Sequence, residues 1–283
     1  MSAAESMKRF SDIESVNCRV SVIIPCYRCA GTIERAVASV AAQTRRPAEV
    51  ILVDDASGDG TRKLLQNLSH HYEPGWIKLV FLAQNVGAGS ARNAGWDLAT
   101  QTYVAFLDSD DAWHPGKIEI QCAYMDEHPE LVLSGHGYRR LDLDRLPDWP
   151  VKQGGSKPVR KWPLILSNKF VTPSAMVRRD VPYRFVAKQR YMEDHMLWLK
   201  IVCDGGRIVK LDADLAAIYK EPFGVAGLSS QVWLMERSDL GNYRRLHQKN
   251  CINSIQFAFL VIYSALKFVR RLLIYWSHLR WKK

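Results

Sequence analysis

The sequence predicts an α/β protein whose mostly parallel sheet is covered by helices on both faces. Short apolar runs rich in β-branched residues alternate with segments of helical periodicity between residues 19 and 107. These runs are apolar throughout rather than at every second position, which is typical of parallel strands buried on both faces. The chain has 283 residues and is 47% hydrophobic. It is therefore long enough and apolar enough to bury a large core.

The individual elements follow from local patterns. Buried strands are predicted where β-branched apolar runs occur, at residues 19–25, 49–53, 77–82 and 103–107. Helices are predicted where apolar residues recur on one face, at residues 32–43, 61–68, 118–127 and 191–203, and from Gly87 onward. A further strand is predicted at residues 131–134. The prolines and glycine pairs of residues 141–161 predict a loop.

Acidic side chains follow two of the predicted strands at the point where each strand ends. Asp54 and Asp55 follow the second strand, and Asp108, Asp110 and Asp111 follow the fourth. Ligands of open parallel sheets bind beyond the carboxyl ends of the strands, so both groups should open onto one crevice. Carboxylates are the ligands that Mg²⁺ and Mn²⁺ prefer, and two of them could hold such an ion against a substrate diphosphate.

Structural explanations remain open for both acidic groups. The Asp108-x-Asp110 pattern is explained equally well by an acidic turn that caps the helix near Lys117. An Asx-turn made with Ser57 explains Asp54-Asp55 better than a ribose or base contact does.

Two further segments could contribute to a site in the same crevice. Small residues at Gly87-Ala88-Gly89 let a helix begin close to a ligand, and Arg92 could meet a base or a phosphate. Arg92 occupies the third glycine position, so the dinucleotide fingerprint fails, and a P-loop sequence is also absent. Glu193-Asp194 could supply a general base, although an acidic pair also favours a helix N-terminus.

In their order along the chain, these segments resemble the family 2 glycosyltransferases of the GT-A fold. They are VSVIIPCY, ILVDDASGDGT, QNVGAGSARNAG, VAFLDSDDAW and RYMEDHMLWLK. The resemblance covers residues 19–230, and implies a catalytic domain there, between an N-terminal tail (1–18) and a basic, amphipathic helical extension (231–283). It implies an inverting hexosyl or N-acetylhexosaminyl transfer from a nucleotide sugar, usually UDP-linked, to an acceptor hydroxyl with the help of Mn²⁺ or Mg²⁺.

The resemblance also implies roles for single residues. Those implied to surround the nucleotide sugar are Pro25, Tyr27, Asp55, Arg92 and Asp108, with Asp55 facing the base and Arg92 completing its pocket. Asp108 and Asp110 match the metal-binding D-x-D, in which Asp110 would be the direct ligand. Asp194 matches the catalytic base. Residues 172–180 (TPSAMVRRD) match a segment near the donor sugar.

The sequence departs from the family pattern in two places. Arg28 stands where the family usually has asparagine, which affects the first loop contact. The Q-x-x-R-W motif of processive members is missing, so we expect the enzyme to add one sugar and release its product.

The net charge of +10 is concentrated near the C-terminus. Residues 231–283 contain ten Lys and Arg against two acids, so the rest of the chain is nearly neutral and does not suggest nucleic-acid binding. The apolar run 255–266 is shorter than the roughly 20 residues that a membrane span needs. With Lys267, Arg270 and Arg271 it predicts an interfacial helix on anionic lipid, and packing against the catalytic domain or a second subunit is the alternative.

Location and partners follow from these features. The N-terminus shows no apolar export segment, so we expect a cytoplasmic protein, peripheral on the membrane, whose acceptor is a saccharide or a lipid-linked saccharide. We expect its six cysteines to be free thiols in a reducing compartment, and Cys26-x-x-Cys29 lacks the partners of a zinc site.

Two other functions remain open. A nucleotidyltransferase would need a glycine-rich, lysine-bearing loop, for which CYRCAGT is a poor match. A non-catalytic nucleotide-binding or membrane-scaffold protein would have no use for Asp194.

Overall fold

The computed structural model describes residues 17–142, 145–151, 154–219 and 232–281, and in the last segment it describes side chains for residues 233–270. Most of the predicted N-terminal tail and the side chains of the basic residues from 271 onward lie outside this description.

One mixed sheet organises the described residues. Its strands are β1 (Cys18–Cys26), β2 (Pro47–Asp54), β3 (Ile77–Phe81), β4 (Tyr103–Phe106), β5 (Ala112–Trp113), β6 (Leu131–Arg140), β7 (Ser156–Pro158), β8 (Met176–Arg178) and β9 (Arg207–Ile218). They lie in the order β3-β2-β1-β4-β8-β6-β9-β5, with β7 paired to β9. The strands β3, β2, β1 and β4 run parallel, whereas β8 runs antiparallel to β4 and β6.

Helices flank this sheet and extend beyond it at the C-terminus. They are α1 (Ile33–Ala41), α2 (Thr61–Ser69), α3 (Ala88–Leu98), α4 (Lys117–Glu127), α5 (Lys161–Leu166), α6 (Glu193–Cys203), α7 (Val232–Gln248) and α8 (Ser254–Trp281). The predicted fold class, a Rossmann-like α/β sheet flanked by helices with a C-terminal helical extension, is confirmed. Two local predictions differ from the structure: β6 continues to Arg140, and β7 lies inside the predicted loop.

The central strand β1 divides the core into two layers. Ile23 faces one cluster of buried residues, and its neighbours Val22 and Ile24 face another on the opposite side of the sheet. This is why β1 is apolar at every position from Val22 to Cys26. On one face α3 lies directly on the strand, because a Cβ at Gly95 would come within 2.6 Å of Ile23 Cγ2.

The helices α7 and α8 pack on each other and on α6. Tyr243, Leu246 and Leu260 belong to the same buried cluster as Trp198 of α6. Polar contacts join α7 to α8: Ser264 Oγ donates to Glu236 Oε1 at 2.5 Å, and Lys267 Nζ lies 3.4 Å from Asp239 Oδ2.

A disulfide adds a covalent link to this packing. It joins Cys203, at the end of α6, to Cys251, between α7 and α8, with the two Cα atoms 5.6 Å apart. The prediction that all six cysteines are free is therefore wrong for this pair. The other four (Cys18, Cys26, Cys29 and Cys122) are buried and free, as expected. A separation of 48 residues gives no sequence signal for pairing, which depends on the approach of the two backbones.

Candidate active site

A cavity of about 520 Å³ opens at the carboxyl ends of the parallel strands. Its lining includes each residue to which the resemblance assigns a binding or catalytic role, namely Pro25, Tyr27, Asp55, Arg92, Asp108, Asp110 and Asp194. The two acidic groups do open onto one crevice through Asp55, Asp108 and Asp110, whereas Asp54 and Asp111 are outside its lining. The Asp54 carboxylate accepts hydrogen bonds from Ser57 N and Oγ, which is the Asx-turn considered above.

Three carboxylates cluster after β4: Asp108 and Asp110 line the cavity, and Asp111 is buried beside them. One oxygen from each of Asp108, Asp110 and Asp111 lies within 4.8 Å of the others. A tight turn brings them together, since Asp111 N donates to Asp108 O at 3.1 Å, and Arg35 Nη2 fixes the turn through Asp110 O at 2.6 Å. This set of hard oxygen donors fits Mg²⁺ or Mn²⁺. The sequence pattern placed Asp111 in this acidic group, and the resemblance gave the metal-binding role to Asp108 and Asp110.

Arg92 lies between two of the carboxylates. Only 3% of this residue is exposed. Its Nη2 donates to Asp108 Oδ1 at 2.6 Å, and its Nη1 donates to Glu193 Oε1 at 3.1 Å. Such charge-assisted hydrogen bonds fix the orientation of both acids. Arg92 therefore joins the turn after β4 to the start of α6, and its implied place in the base pocket stays a prediction.

Glu193 is a carboxylate of the site whose pKa is raised. It is buried in the first turn of α6, where a Cβ on Gly89 would come within 2.9 Å of its Cγ. Burial raises the pKa of Glu193 to about 7; the positive charge of Arg92 opposes this rise, and Asp194 adds to it. Glu193 can therefore exchange a proton near neutral pH. The sequence indicated Glu193 only as part of the acidic pair with Asp194, because its burial depends on α3.

Asp194 points into the cavity and is held from two sides. Its Oδ2 accepts from Asn168 Nδ2 at 3.0 Å and from Thr172 Oγ1 at 3.5 Å. Its Oδ1 accepts from the backbone N–H of His195 at 2.6 Å. Thr172 belongs to the segment that the resemblance places near the donor sugar, and it also lines the cavity. Asn168 was missed, since a lone asparagine in a loop carries no signal.

Asp55 holds the loop that leads into α3. Its two oxygens accept from Val86 N at 2.7 Å, Gly87 N at 2.8 Å and Asn85 Nδ2 at 3.0 Å. Its predicted contact with the base stays a prediction, because these bonds show only that Asp55 shapes the wall of the pocket.

Comparison with known proteins identifies the family of this chain. The sequence model of the family "Glycosyl transferase family 2" matches residues 21–182 of this chain. The chain belongs to glycosyl transferase family 2. EpsE of Bacillus subtilis, a relative named as a glycosyltransferase, is 31% identical over 209 residues, which cover 71% of this chain and 72% of EpsE.

Other relatives match over shorter stretches or at lower identity. TuaG of Bacillus subtilis, named as a teichuronic acid biosynthesis glycosyltransferase, is 43% identical over 128 residues, 45% of this chain and 50% of TuaG. The match thus spans half the length of that relative. WfaP of Escherichia coli, named as a UDP-Glc:α-D-GlcNAc-diphosphoundecaprenol β-1,3-glucosyltransferase, is 28% identical over 195 residues, 66% of this chain and 71% of WfaP.

Solved structures show the same fold. S. aureus TarS 1–349 in complex with UDP-GlcNAc gives a TM-score of 0.66 at 22% identity and covers 89% of this chain and 72% of its own. The mannosyltransferase PcManGT of Pyrobaculum calidifontis, in complex with GDP-Man and Mn²⁺, gives 0.62 at 19% identity, with 82% and 65% covered.

The departure of this family 2 member at Arg28 has a local explanation. Arg28 adopts a left-handed backbone conformation (φ 50°), which asparagine tolerates better than arginine does. Ser57 compensates here, because its Oγ accepts from Arg28 N at 3.0 Å and its carbonyl accepts from Arg28 Nε at 3.3 Å. Ala56 and Met192, which adjoin Asp55 and Glu193, are also left-handed (φ 54° and 55°).

Proposed function

We propose that this glycosyltransferase is a metal-dependent inverting enzyme that transfers one hexosyl or N-acetylhexosaminyl group from a UDP-linked sugar. The observation that carries the proposal is that Asp108 and Asp110, with Asp111 clustered beside them, line the same cavity as Asp194. TarS in complex with UDP-GlcNAc and PcManGT in complex with GDP-Man and Mn²⁺ share the fold and support this donor class and metal. Membership of family 2 favours glycosyl transfer over the nucleotidyltransferase and non-catalytic alternatives.

The residues of the cavity divide the chemistry between the turn after β4 and the start of α6. Asp108 and Asp110 would hold the divalent cation, which stabilises negative charge on the leaving nucleoside diphosphate. Asp194, in the first turn of α6, removes the proton of the acceptor hydroxyl as its oxygen attacks the anomeric carbon. Attack from the face opposite the leaving diphosphate inverts the configuration. Asn168 and Thr172 keep the Asp194 carboxylate oriented toward that hydroxyl.

We further propose a role in cell-surface polysaccharide synthesis on a lipid-linked saccharide acceptor. The names of TuaG and WfaP, which refer to teichuronic acid and to a diphosphoundecaprenol-linked sugar, support it. None of the described helices is both long and apolar enough to cross a membrane. An acceptor of this kind would place the enzyme on the cytoplasmic face of the membrane.

The outer face of α8 supports such peripheral contact with an anionic membrane. Five large apolar side chains, each more than half exposed, recur at intervals of three and four residues along it: Ile255, Phe259, Ile262, Leu266 and Val269. We call this set the apolar stripe. Arg270 is exposed at its end. Apolar side chains beside a cation fit the boundary between lipid tails and anionic headgroups.

Thermal unfolding with nucleotides tests the donor and metal assignments. We expect UDP to stabilise the protein only when Mn²⁺ is present, by about 2.7 kcal/mol at 100 times its Kd. Asp110→Ala should lose the Mn²⁺-dependent shift, whereas Asp97→Asn, at an exposed acid of α3, should keep it. An equal UDP shift with and without Mn²⁺ in the wild type would remove the metal from the proposal.

The rate of sugar transfer tests whether Asp194 is the general base. Asp194→Asn should bind UDP as the wild type does and lose transfer by roughly 10²–10⁴-fold, which is the usual contribution of general base catalysis. Near-normal transfer by this variant would exclude Asp194 as the base.

A further inference from the structure

A second cavity, of about 440 Å³, lies beside the first, between residues 187–191 and α7. Arg190 and Tyr191 line both cavities, so the two are neighbours across this segment. Four cations line the second cavity: Lys188, Arg190, Arg237 and Arg245. We call it the basic cavity.

The positive charge of the basic cavity is not neutralised within the described part of the chain. No described carboxylate forms an ion pair with any of the four cations. Neutral amides orient two of them instead. Arg245 Nη1 donates to Gln189 Oε1 at 2.9 Å, and Arg190 Nη2 donates to Asn85 Oδ1 at 2.7 Å. An amide oxygen fixes a guanidinium without cancelling its charge, which leaves the charge available to an anion.

A buried amide network fixes this cavity relative to the catalytic helix. Asn242 of α7 is fully buried, and its Nδ2 donates to Met192 O at 3.1 Å, one residue before α6 begins. Gln189 Nε2 donates to Asn242 Oδ1 at 3.1 Å and to Tyr191 O at 2.8 Å. An anion in the basic cavity would therefore lie at a defined position relative to Asp194, which belongs to the first turn of α6.

We propose that the basic cavity binds the diphosphate of a lipid-linked saccharide acceptor. The inference rests on the proposed function and adds to it the residues that recognise the acceptor. Arg and Lys are the side chains best suited to phosphate oxygens. In the proposed function a divalent cation at Asp108 and Asp110 would bind the donor diphosphate, so the Lys and Arg side chains of the basic cavity are left for a second anionic group.

The surroundings of the cavity suit both ends of such an acceptor. On one side, a sugar attached to the diphosphate can pass Tyr191, which lines both cavities, toward Asp194. On the other side, Leu234 lines the basic cavity, and the adjacent Trp233 is 66% exposed and packs against Phe268 of α8. The lipid chain can leave along this apolar surface toward the apolar stripe.

Binding of citronellyl diphosphate to the full-length protein in EDTA tests the proposal. EDTA removes any cation that could attach the probe to the carboxylates, and citronellol is the uncharged control. We expect Arg237→Glu to weaken binding about tenfold or more, since it replaces a charge-assisted contact with a repulsive one. Lys188→Asn should also weaken binding, and asparagine is chosen because it tolerates the left-handed backbone at this position (φ 61°). Arg244→Glu, exposed on α7 but outside the cavity, should bind within twofold of the wild type.

Several outcomes would overturn the proposal. Binding that is unchanged in both Arg237→Glu and Lys188→Asn would do so, as would an equal loss in Arg244→Glu. If Arg237→Glu loses binding to phosphatidylglycerol vesicles but keeps citronellyl diphosphate, the cavity recognises membrane headgroups instead. If Arg237→Glu loses the Mn²⁺-dependent UDP shift, the cavity serves the donor.

The UDP experiment, which tests the donor, is independent of the citronellyl diphosphate experiment, which tests the basic cavity. Failure of UDP to bind the wild type, together with diphosphate binding that depends on Arg237, would reject the proposed donor and leave the basic cavity in place.

Discussion

Replacing Glu193 with glutamine should stabilise the protein at pH 8 and change its stability little at pH 5. Glutamine resembles the protonated acid in shape, and its amide oxygen can still accept the hydrogen bond from Arg92. Burial raises the pKa of Glu193 from 4.5 to about 7, with Arg92 acting against the rise. The folded state therefore binds a proton more tightly than the unfolded chain, so the wild-type protein loses stability as pH rises between these two values.

The size of the effect follows from the two pKa values. At 1.36 kcal/mol for each pH unit between them, the ionised carboxylate costs about 3 kcal/mol at pH 8 and under about 1 kcal/mol at pH 5. Glu193→Gln removes that cost. Urea unfolding in EDTA at both pH values measures it, and Glu34→Gln, at an exposed acid of α1, should stay within about 0.5 kcal/mol of the wild type. A variant that is less stable than the wild type at pH 8, or that gains equally at both pH values, would refute the reasoning.

Three further predictions concern the core, the disulfide and the apolar stripe. Gly95→Ala should lower the free energy of unfolding by about 1–3 kcal/mol, because the added Cβ would clash with Ile23. Gly241→Ala on α7 should not lower it, because a Cβ there would meet only Arg245 Nη1, at 3.7 Å. Equal effects of the two substitutions would contradict the close packing of α3. Cys251→Ser should lower it by about 2–4 kcal/mol under oxidising conditions, and an unchanged urea midpoint would mean that the bond is not formed. Phe259→Ser with Leu266→Ser should weaken binding to phosphatidylglycerol vesicles in sedimentation, while Leu98→Ser, exposed on α3, should not; unchanged binding together with a smaller oligomer would assign the stripe to a second subunit.

The parallel half of the fold was predictable because its signals are local. The strand β1 is apolar at every position from Val22 to Cys26, and only a strand covered on both faces needs such a run. The strand β7 was missed because Ser156-Lys157-Pro158 has neither alternation nor β-branched residues, and it forms by pairing with β9. The extension of β6 to Arg140 was missed for a similar reason, since its last residues are polar and exposed.

Prediction of the site was limited by interactions between distant segments. The positions of Asp108, Asp110 and Asp194 follow from strand ends and a helix start, which the sequence marks. The position of Arg92 between Asp108 and Glu193 depends on how α3 meets α6, across 101 residues of chain from Arg92 to Glu193. The basic cavity depends on α7 returning to residues 187–191, and single cations in a basic tail do not indicate that meeting.

The left-handed residues beside the active site have a consequence for engineering. Arg28, Ala56 and Met192 each hold a backbone conformation that costs a non-glycine residue about 1–3 kcal/mol. Glycine at these positions would relieve the strain in the folded protein, but it would also let the loops beside Tyr27, Asp55 and Glu193 sample other shapes. A screen that selects only for thermal stability would therefore enrich these glycine substitutions. The more stable variants would position the donor less accurately.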